Sequence, residues 1–246
     1  VARFFVQKKN IRDGRAVLIG GECEHMRKVL RLGPGERVIL FDDDGCEHEG
    51  TIHSYTGGAA EIAIEKSFRP ERESPLSITL AQALGKGDKL DLVVEKATEL
   101  GVAGLVPFVC RRTVPKLDRD AAARRGERWR RIALSAAKQS GRTRVPEIHE
   151  LIDFSALVER PWPAARKLLF WEGEQGRGLK EWHEKNPRLD SLLLVVGPEG
   201  GFTPEEAALA TANGFHSIGL GRRILRTETA AVAAVALAQF LWGDLG

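Results

Sequence analysis

Hydrophobic positions along the chain fall into two regimes. Over residues 1–68 they come in short β-rich runs broken by turn residues. Arg3 to Gln7, Ala16 to Ile19, Arg37 to Phe41, Gly50 to Tyr55 and Ala59 to Glu65 are predicted strands. Asp13-Gly14, Asp42 to Gly45 and Gly57-Gly58 are the turns, and Glu22 to Leu32 is a short helix stopped by Gly33-Pro34-Gly35. Several short strands at this spacing suggest a small barrel. From Leu76 onward strand and helix alternate. Ile78 to Leu84, Leu105 to Val109, Leu168 to Trp171, Leu192 to Val196 and Phe215 to Leu220 are predicted strands. Lys89 to Leu100 is an amphipathic helix with Leu90, Val93, Val94, Ala97 and Leu100 on one face. Asp118 to Ser140 is a longer one, with Trp129, Ile132, Ala133, Ala136 and Ala137 as its apolar stripe and Arg124, Arg128 and Arg131 as a separate basic row. Such alternation implies an α/β domain with a largely parallel sheet covered on both faces. Arg69 to Pro75 is charged, lacks periodicity and is bracketed by prolines, so it reads as a linker between domains at 1–70 and 76–246.

The stretch from Leu192 to Ala236 carries the most chemistry. Its opening apolar run does not alternate, as expected of a strand buried on both faces. It stops at Gly197-Pro198-Glu199-Gly200-Gly201, where glycine lets a ligand approach the backbone closely. Thr203-Pro204-Glu205-Glu206 then opens a helix: Thr203 is the cap, Pro204 the first helical residue, and Glu206 completes a capping box. Asn213-Gly214 ends it. A second strand, a second loop from Gly221 and a last helix capped by Thr227 or Thr229 follow. In open α/β sheets ligands bind outside the carboxyl ends of the strands, where such loops gather. Two ordinary βα turns would share this spacing.

GPEGGFTPEE followed by LGRRILRTETAAVAAVA resembles the paired signature of the SPOUT methyltransferases, and within them the bacterial 16S rRNA uridine-N3 methyltransferase family (RsmE-like). HMRKVLRLGPGE at 25–36, QALGKGDKLDLVVEKATELGV at 82–102 and AAKQSGRTRVPEI at 136–148 extend the match over nearly the whole chain. The resemblance implies a PUA-like RNA-binding barrel ahead of a SPOUT domain in which the last helix threads a trefoil knot. It also implies a homodimer with the active site at the subunit interface, and S-adenosylmethionine as methyl donor. Three loops would form the donor pocket: Phe170, Trp171 and Glu172; Val196, Gly197, Pro198, Glu199, Gly200 and Gly201; and Leu220, Gly221, Ile224, Leu225, Arg226, Thr227 and Ala230. Leu220, Ile224 and Leu225 would be its greasy walls. One departure stands out: position 138 is Lys, where relatives are expected to carry an acid.

Composition and charge narrow the picture. With 43% apolar and 29% charged residues the chain is an ordinary globular one, and no run approaches a membrane span. The N-terminal VARFFVQKKN lacks a signal-peptide layout, and Cys23, Cys46 and Cys110 are odd in number and far apart, so a cytoplasmic protein with reduced thiols is expected. The net charge of +3 is uneven: Arg111 to Arg144 holds 12 Lys and Arg against 3 Asp and Glu. A concentrated positive segment suits a phosphate backbone, though an arginine-rich solvated helix face looks the same. Six histidines show no metal-ligand spacing, and no dinucleotide fingerprint, phosphate loop or nucleophile elbow is present, so no metal is expected.

Methylation at uridine N3 needs donor and acceptor in near-attack geometry and the N3 proton removed. Glu199 and Glu228 are the carboxylates of the motif loops, and either could be the base; Arg226 could stabilise the uridine anion or hold the donor's carboxylate. N3 lies on the Watson–Crick edge, so the target must be unpaired or flipped out. Candidate RNA contacts are Arg3, Arg27, Lys28 and Arg31 on the barrel, and Lys86, Lys89, Lys96, Arg111, Arg112, Arg124, Arg128, Gln139, Arg142 and Arg144 beyond it. Two other readings remain: a SPOUT enzyme with another RNA target, such as a ribose 2′-oxygen, and an RNA-binding protein without catalysis.

Overall fold

The computed structural model describes residues 1–42, 44–114, 118–162, 165–174 and 176–246; Asp43 of the predicted Asp42–Gly45 turn lies outside them. The chain forms two compact units, Val1–Glu73 with Ala137–Val145, and Ser74–Ala136 with Pro146–Gly246. Residues 137–145 thus group with the first unit, unlike a split into two consecutive segments.

The first unit is a six-stranded sheet of β1 (Arg3–Phe5), β2 (Ile11–Arg12), β3 (Arg15–Leu18), β4 (Arg37–Phe41), β5 (Glu47–Thr56) and β6 (Ala59–Phe68). Its order is β1-β4-β5-β6-β3-β2, with β1 and β4 parallel and every other pair antiparallel. Alternating residues such as Ala16 and Leu18 on β3 turn inward onto Phe4, Leu40, Ile52 and Ile62, the buried core of a curled half-barrel. The predicted 22–32 helix is broken. α1 covers only Gly20–Glu24 and passes into one π-helical turn, His25–Val29, before Arg31 takes a left-handed φ of 55°.

The C-terminal turn of the long helix, α3 (Arg119–Ser140), belongs to this unit and explains Lys138. Its ammonium lies 2.9 and 3.1 Å from the Glu22 carboxylate oxygens and over the Phe4 ring. A lysine at 138 is thus matched by an acid at 22. The following loop is clamped by Glu73, which accepts from the Arg142 guanidinium (2.6 Å) and from the backbone N–H groups of Thr143 (2.8 Å) and Arg144 (3.1 Å). Burial opposes the Glu73 charge, but the Arg142 guanidinium and these N–H groups outweigh it, and the carboxyl is held below its ordinary value.

In the second unit β7 (Ser77–Ala83), β8 (Gly104–Val109), β9 (Glu147–Ile148), β10 (Ile152–Asp153), β11 (Arg166–Phe170), β12 (Ser191–Val196) and β13 (His216–Ile218) pair in parallel throughout. The order is β10-β8-β7-β12-β11-β13, with β9 beside β8. From β7 the chain first winds outward through β8, then returns to fill the other side of β7. The topological switch point therefore lies between β7 and β12. The helices are α2 (Lys89–Glu99), most of α3, α4 (Phe154–Glu159), α5 (Leu179–Lys185), α6 (Pro204–Ala212) and α7 (Thr227–Trp242). Leu192 to Val196 is buried along its whole length, as its unbroken apolar run predicts.

Three expectations need correction. β9, β10, α4 and α5 were not foreseen; two to seven residues are too few to show a period. The strand predicted at Phe215 to Leu220 is His216–Ile218 only, because Gly219 and Leu220 leave the sheet for the next loop. Neither Thr227 nor Thr229 caps α7. Arg226 holds the cap position without a side-chain bond, and the Thr227 hydroxyl turns inward.

Candidate active site

Parallel register brings four strand ends together. Val196 sits beside Gln82 on one side and Phe170 on the other, and Phe170 beside Ile218. The loops leaving β11, β12 and β13 therefore emerge side by side at the switch point and enclose a cleft of about 340 Å³. That volume suits a small-molecule ligand. Every residue expected in the donor pocket lines it except Gly200, whose carbonyl instead accepts a 2.8 Å bond from Arg112 Nη1. Arg222 and Arg223, within the expected loop from Leu220 to Ala230, also line it, and so do Lys89, Glu174, Phe202 and Gly219, which were not foreseen there. Lys89, Phe202, Arg222 and Arg223 lie inside the quoted motifs, so that signal was available. Ile224 lines the cleft at its rim, 84% exposed, and Leu220 and Leu225 are half-buried.

Local chemistry shapes the loops. Gly201 has φ +66° and its N–H closes a turn onto the Pro198 carbonyl at 2.9 Å. A Cβ at Gly197 would meet three Phe202 ring carbons at 3.0 to 3.3 Å, and one at Gly219 would come within 2.7 Å of the Glu174 carbonyl oxygen. Glycine fits these approaches without displacing its neighbours. The α6 capping box forms as predicted: Thr203 Oγ1 accepts from the Glu206 N–H (3.2 Å), and Glu206 Oε2 from the Thr203 N–H (2.9 Å).

The charged groups at the cleft are ordered around one lysine. Lys89 Nζ lies 2.9 Å from Glu199 Oε1 and 3.6 Å from Glu228 Oε2. Glu199 also accepts the Lys86 N–H at 3.0 Å. Burial opposes its charge, yet the Lys89 ammonium and that N–H prevail and lower its pKa. The same hydrogen bond to Glu199 raises Lys89. Glu228 does not line the cleft; it reaches the site through Lys89, and its Oε2 is buried without a hydrogen-bond partner among the described residues. Of the three candidate catalytic residues, Glu199 and Arg226 line the cleft, the latter exposed.

The candidate RNA contacts divide. Arg27, Lys28, Arg31, Lys86, Arg111, Arg112, Arg124, Arg128, Gln139 and Arg144 are exposed. Arg128 forms an ion pair with Asp91, and Lys96 is paired with Glu95 and Glu99. Arg3 and Arg142 do not present themselves to solvent. Arg3 bonds the buried Glu47 carboxylate and the Arg142 carbonyl, while Arg142 is held on Glu73. Both charges are engaged within the first unit. Lys89 belongs to the cleft. Among the described residues no group of three or more His, Cys, Asp or Glu side chains is arranged for a metal, and no helix is long and apolar enough to cross a membrane.

Fold and cleft together define an RNA methyltransferase of the SPOUT type. Residues 72–239 match the RNA methyltransferase domain family, and residues 18–65 the RNA methyltransferase PUA domain family. The chain is 34% identical over 240 residues to ribosomal RNA small subunit methyltransferase E of Bacillus subtilis, covering 95% of this chain and 94% of that one. It is 32% identical to the protein of the same name from Aquifex aeolicus, covering 92% and 94%. The crystal structure of ribosomal RNA small subunit methyltransferase E from Neisseria gonorrhoeae, bound to S-adenosyl methionine, superposes with a TM-score of 0.89 at 34% identity, covering 100% and 99% of the two chains. A Legionella pneumophila structure in complex with the bound cofactor SAM has a TM-score of 0.90 at 31% identity, covering 99% and 98%. The chain belongs to the ribosomal RNA small subunit methyltransferase E family.

Proposed function

We propose that this chain transfers the methyl group of S-adenosylmethionine to N3 of an unpaired uridine in 16S rRNA of the small ribosomal subunit. The observation that carries this reading is the convergence of the three motif loops into one cleft at the switch point. The cleft suits the donor: Phe170, Val196, Leu220 and Leu225 offer apolar walls for an adenine, and the glycine loops offer backbone groups for its edge. Glycine at 197, 201 and 219 lets the loops pack closely on Phe202, Glu172 and the Glu174 carbonyl around the cleft. When bound, S-adenosylmethionine supplies a methyl group on a sulfonium, open to in-line displacement.

The residues divide the remaining work. Glu199 lines the cleft and, with its pKa lowered, is ionised at neutral pH and able to take the N3 proton. Lys89 orients it, and Glu228 holds Lys89 from the other side. Arg226, exposed on the wall, offers positive charge to the anion that develops on O2 and O4 of the base, or to the donor's carboxylate. The half-barrel and the exposed arginines of α3 grip flanking RNA through its phosphates.

A homodimer is part of the reading. Leu237 (42% exposed) and Phe240 (61%) stand one turn apart on α7 and offer an apolar face for a second copy. A cytoplasmic location follows from the substrate. The test is methyl incorporation into small subunits and naked rRNA from cells lacking this gene, alongside calorimetry of donor binding. Donor binding with incorporation supports the reading; donor binding with no incorporation into either substrate contradicts it.

A further inference from the structure

A buried polar network ties together the strand ends that carry the cleft, and its central residue, Gln82, has no part in the chemistry described so far. Gln82 is 2% exposed, near the end of β7, in register with Val196. Its Nε2 donates to Thr227 Oγ1 at 2.9 Å, to its neighbour's carbonyl at Ala83 (3.1 Å) and to the Gly197 carbonyl at 3.5 Å. The Thr227 hydroxyl in turn donates to the Gly197 carbonyl at 2.6 Å. Thr227, the first residue of α7, is 6% exposed. One glutamine and one hydroxyl thus join β7, the glycine loop after β12 and the start of α7.

The Gly197 carbonyl is a telling place to anchor. The next residue is Pro198, so the peptide between them has no N–H. A glycine on its amino side adds no Cβ to restrain it. The carbonyl is the one polar handle on that peptide, and both donors reach it. Its orientation sets the path of the chain into the Pro198–Gly201 turn and the pocket wall. The network also falls short of an ideal core: Gln82 Oε1 is buried with no hydrogen-bond partner among the described residues. An unmatched buried acceptor costs stability.

We infer that Gln82 and Thr227 are positioning residues for the methyl-donor site. They lock the Gly197–Pro198 peptide and couple the loop after β12 to the loop that precedes α7, so both present their backbone groups to one ligand. The inference rests on the S-adenosylmethionine reading of the cleft.

Three variants test it: Thr227→Val, which keeps the shape and removes the hydroxyl; Thr227→Ser, which restores it; and Gln82→Met, which keeps about the same size but removes the donor. The measurements are donor Kd by calorimetry, KM for donor and for rRNA, kcat and Tm. Loss of one buried hydrogen bond used in binding corresponds to about a tenfold change in Kd. Thr227→Val and Gln82→Met are expected to raise donor Kd and donor KM by about that factor, with rRNA KM unchanged. Thr227→Ser is expected to recover wild-type Kd. A fall in Tm with unchanged donor Kd in both disruptive variants would overturn the inference and leave a simple core network. Wild-type protein that fails to bind S-adenosylmethionine would overturn the reading of the cleft, and this inference with it.

Discussion

Gly197→Ala puts the architecture of the cleft under strain. The added Cβ would meet Phe202 Cε2 at 3.0 Å, Cδ2 at 3.2 Å and Cζ at 3.3 Å. Ordinary carbon contacts lie at about 3.5–4.0 Å, so one methyl collides with a whole ring edge. The ring cannot step aside freely. Phe202 is 2% exposed, stacked on Phe108 with centroids 6.2 Å apart and packed on Phe154 at 5.2 Å. Overpacking of this kind costs about 1–3 kcal/mol. For a chain of this size that corresponds to a Tm lowered by roughly 2–12 °C. If the backbone yields instead of the ring, the 197–201 turn moves and donor affinity falls. Calorimetric melting and donor titration of the purified variant measure both. Gly21→Ala is the control: Gly21 lies in α1 with open space around a built Cβ, and a helical alanine there should be neutral or slightly stabilising. Gly197→Ala with wild-type Tm and wild-type donor affinity would refute the close-approach argument.

Other outcomes follow from the same geometry. Thr203→Ala removes the α6 cap and should cost about 1 kcal/mol, read as a lowered Tm, while Thr203→Ser should cost little. Glu73 has a folded pKa below its unfolded one, so its stabilisation is present above the ordinary glutamate range and lost as pH falls through the lowered folded value. Glu73→Gln should therefore flatten the acid limb of a stability-versus-pH curve in that window; an unchanged limb would refute the clamp. Lys89→Met removes the ammonium that holds Glu199 down, so the acidic limb of kcat/KM should shift to higher pH. An unmoved limb would show that Glu199 is not the proton acceptor. Phe240→Asp should give a monomer in sedimentation at micromolar concentration, and a persistent dimer would place the interface elsewhere.

How much of this was legible in the sequence depends on the range of the interaction. The buried strand before Gly197 and the capping box at Thr203 rest on contacts within a few residues; the box was readable to the residue and the strand to within one, since it begins at Ser191. The three pocket loops were recognisable by motif, although nothing in their separate sequences says that parallel register sets Val196 between Gln82 and Phe170. Long-range pairings were opaque. Lys89 reads as an RNA-facing cation on its own helix; only the fold brings it to Glu199 and Glu228. Arg142 reads as a surface arginine of a basic segment, and only the fold supplies Glu73 to bury it. Thr227 looks like a helix cap because caps are judged from neighbours, whereas its hydroxyl is claimed by a carbonyl thirty residues away in sequence. Short elements such as β9 and β10 exist because β8 offers them an edge, not because two residues carry a pattern.

The central claim is tested most directly by the identity of the methylated nucleoside. Small subunits and naked 16S rRNA from cells lacking this gene would be incubated with the protein and methyl-labelled S-adenosylmethionine, then digested to nucleosides and resolved. The account predicts label in 3-methyluridine. Label confined to a different nucleoside would contradict the assignment of N3.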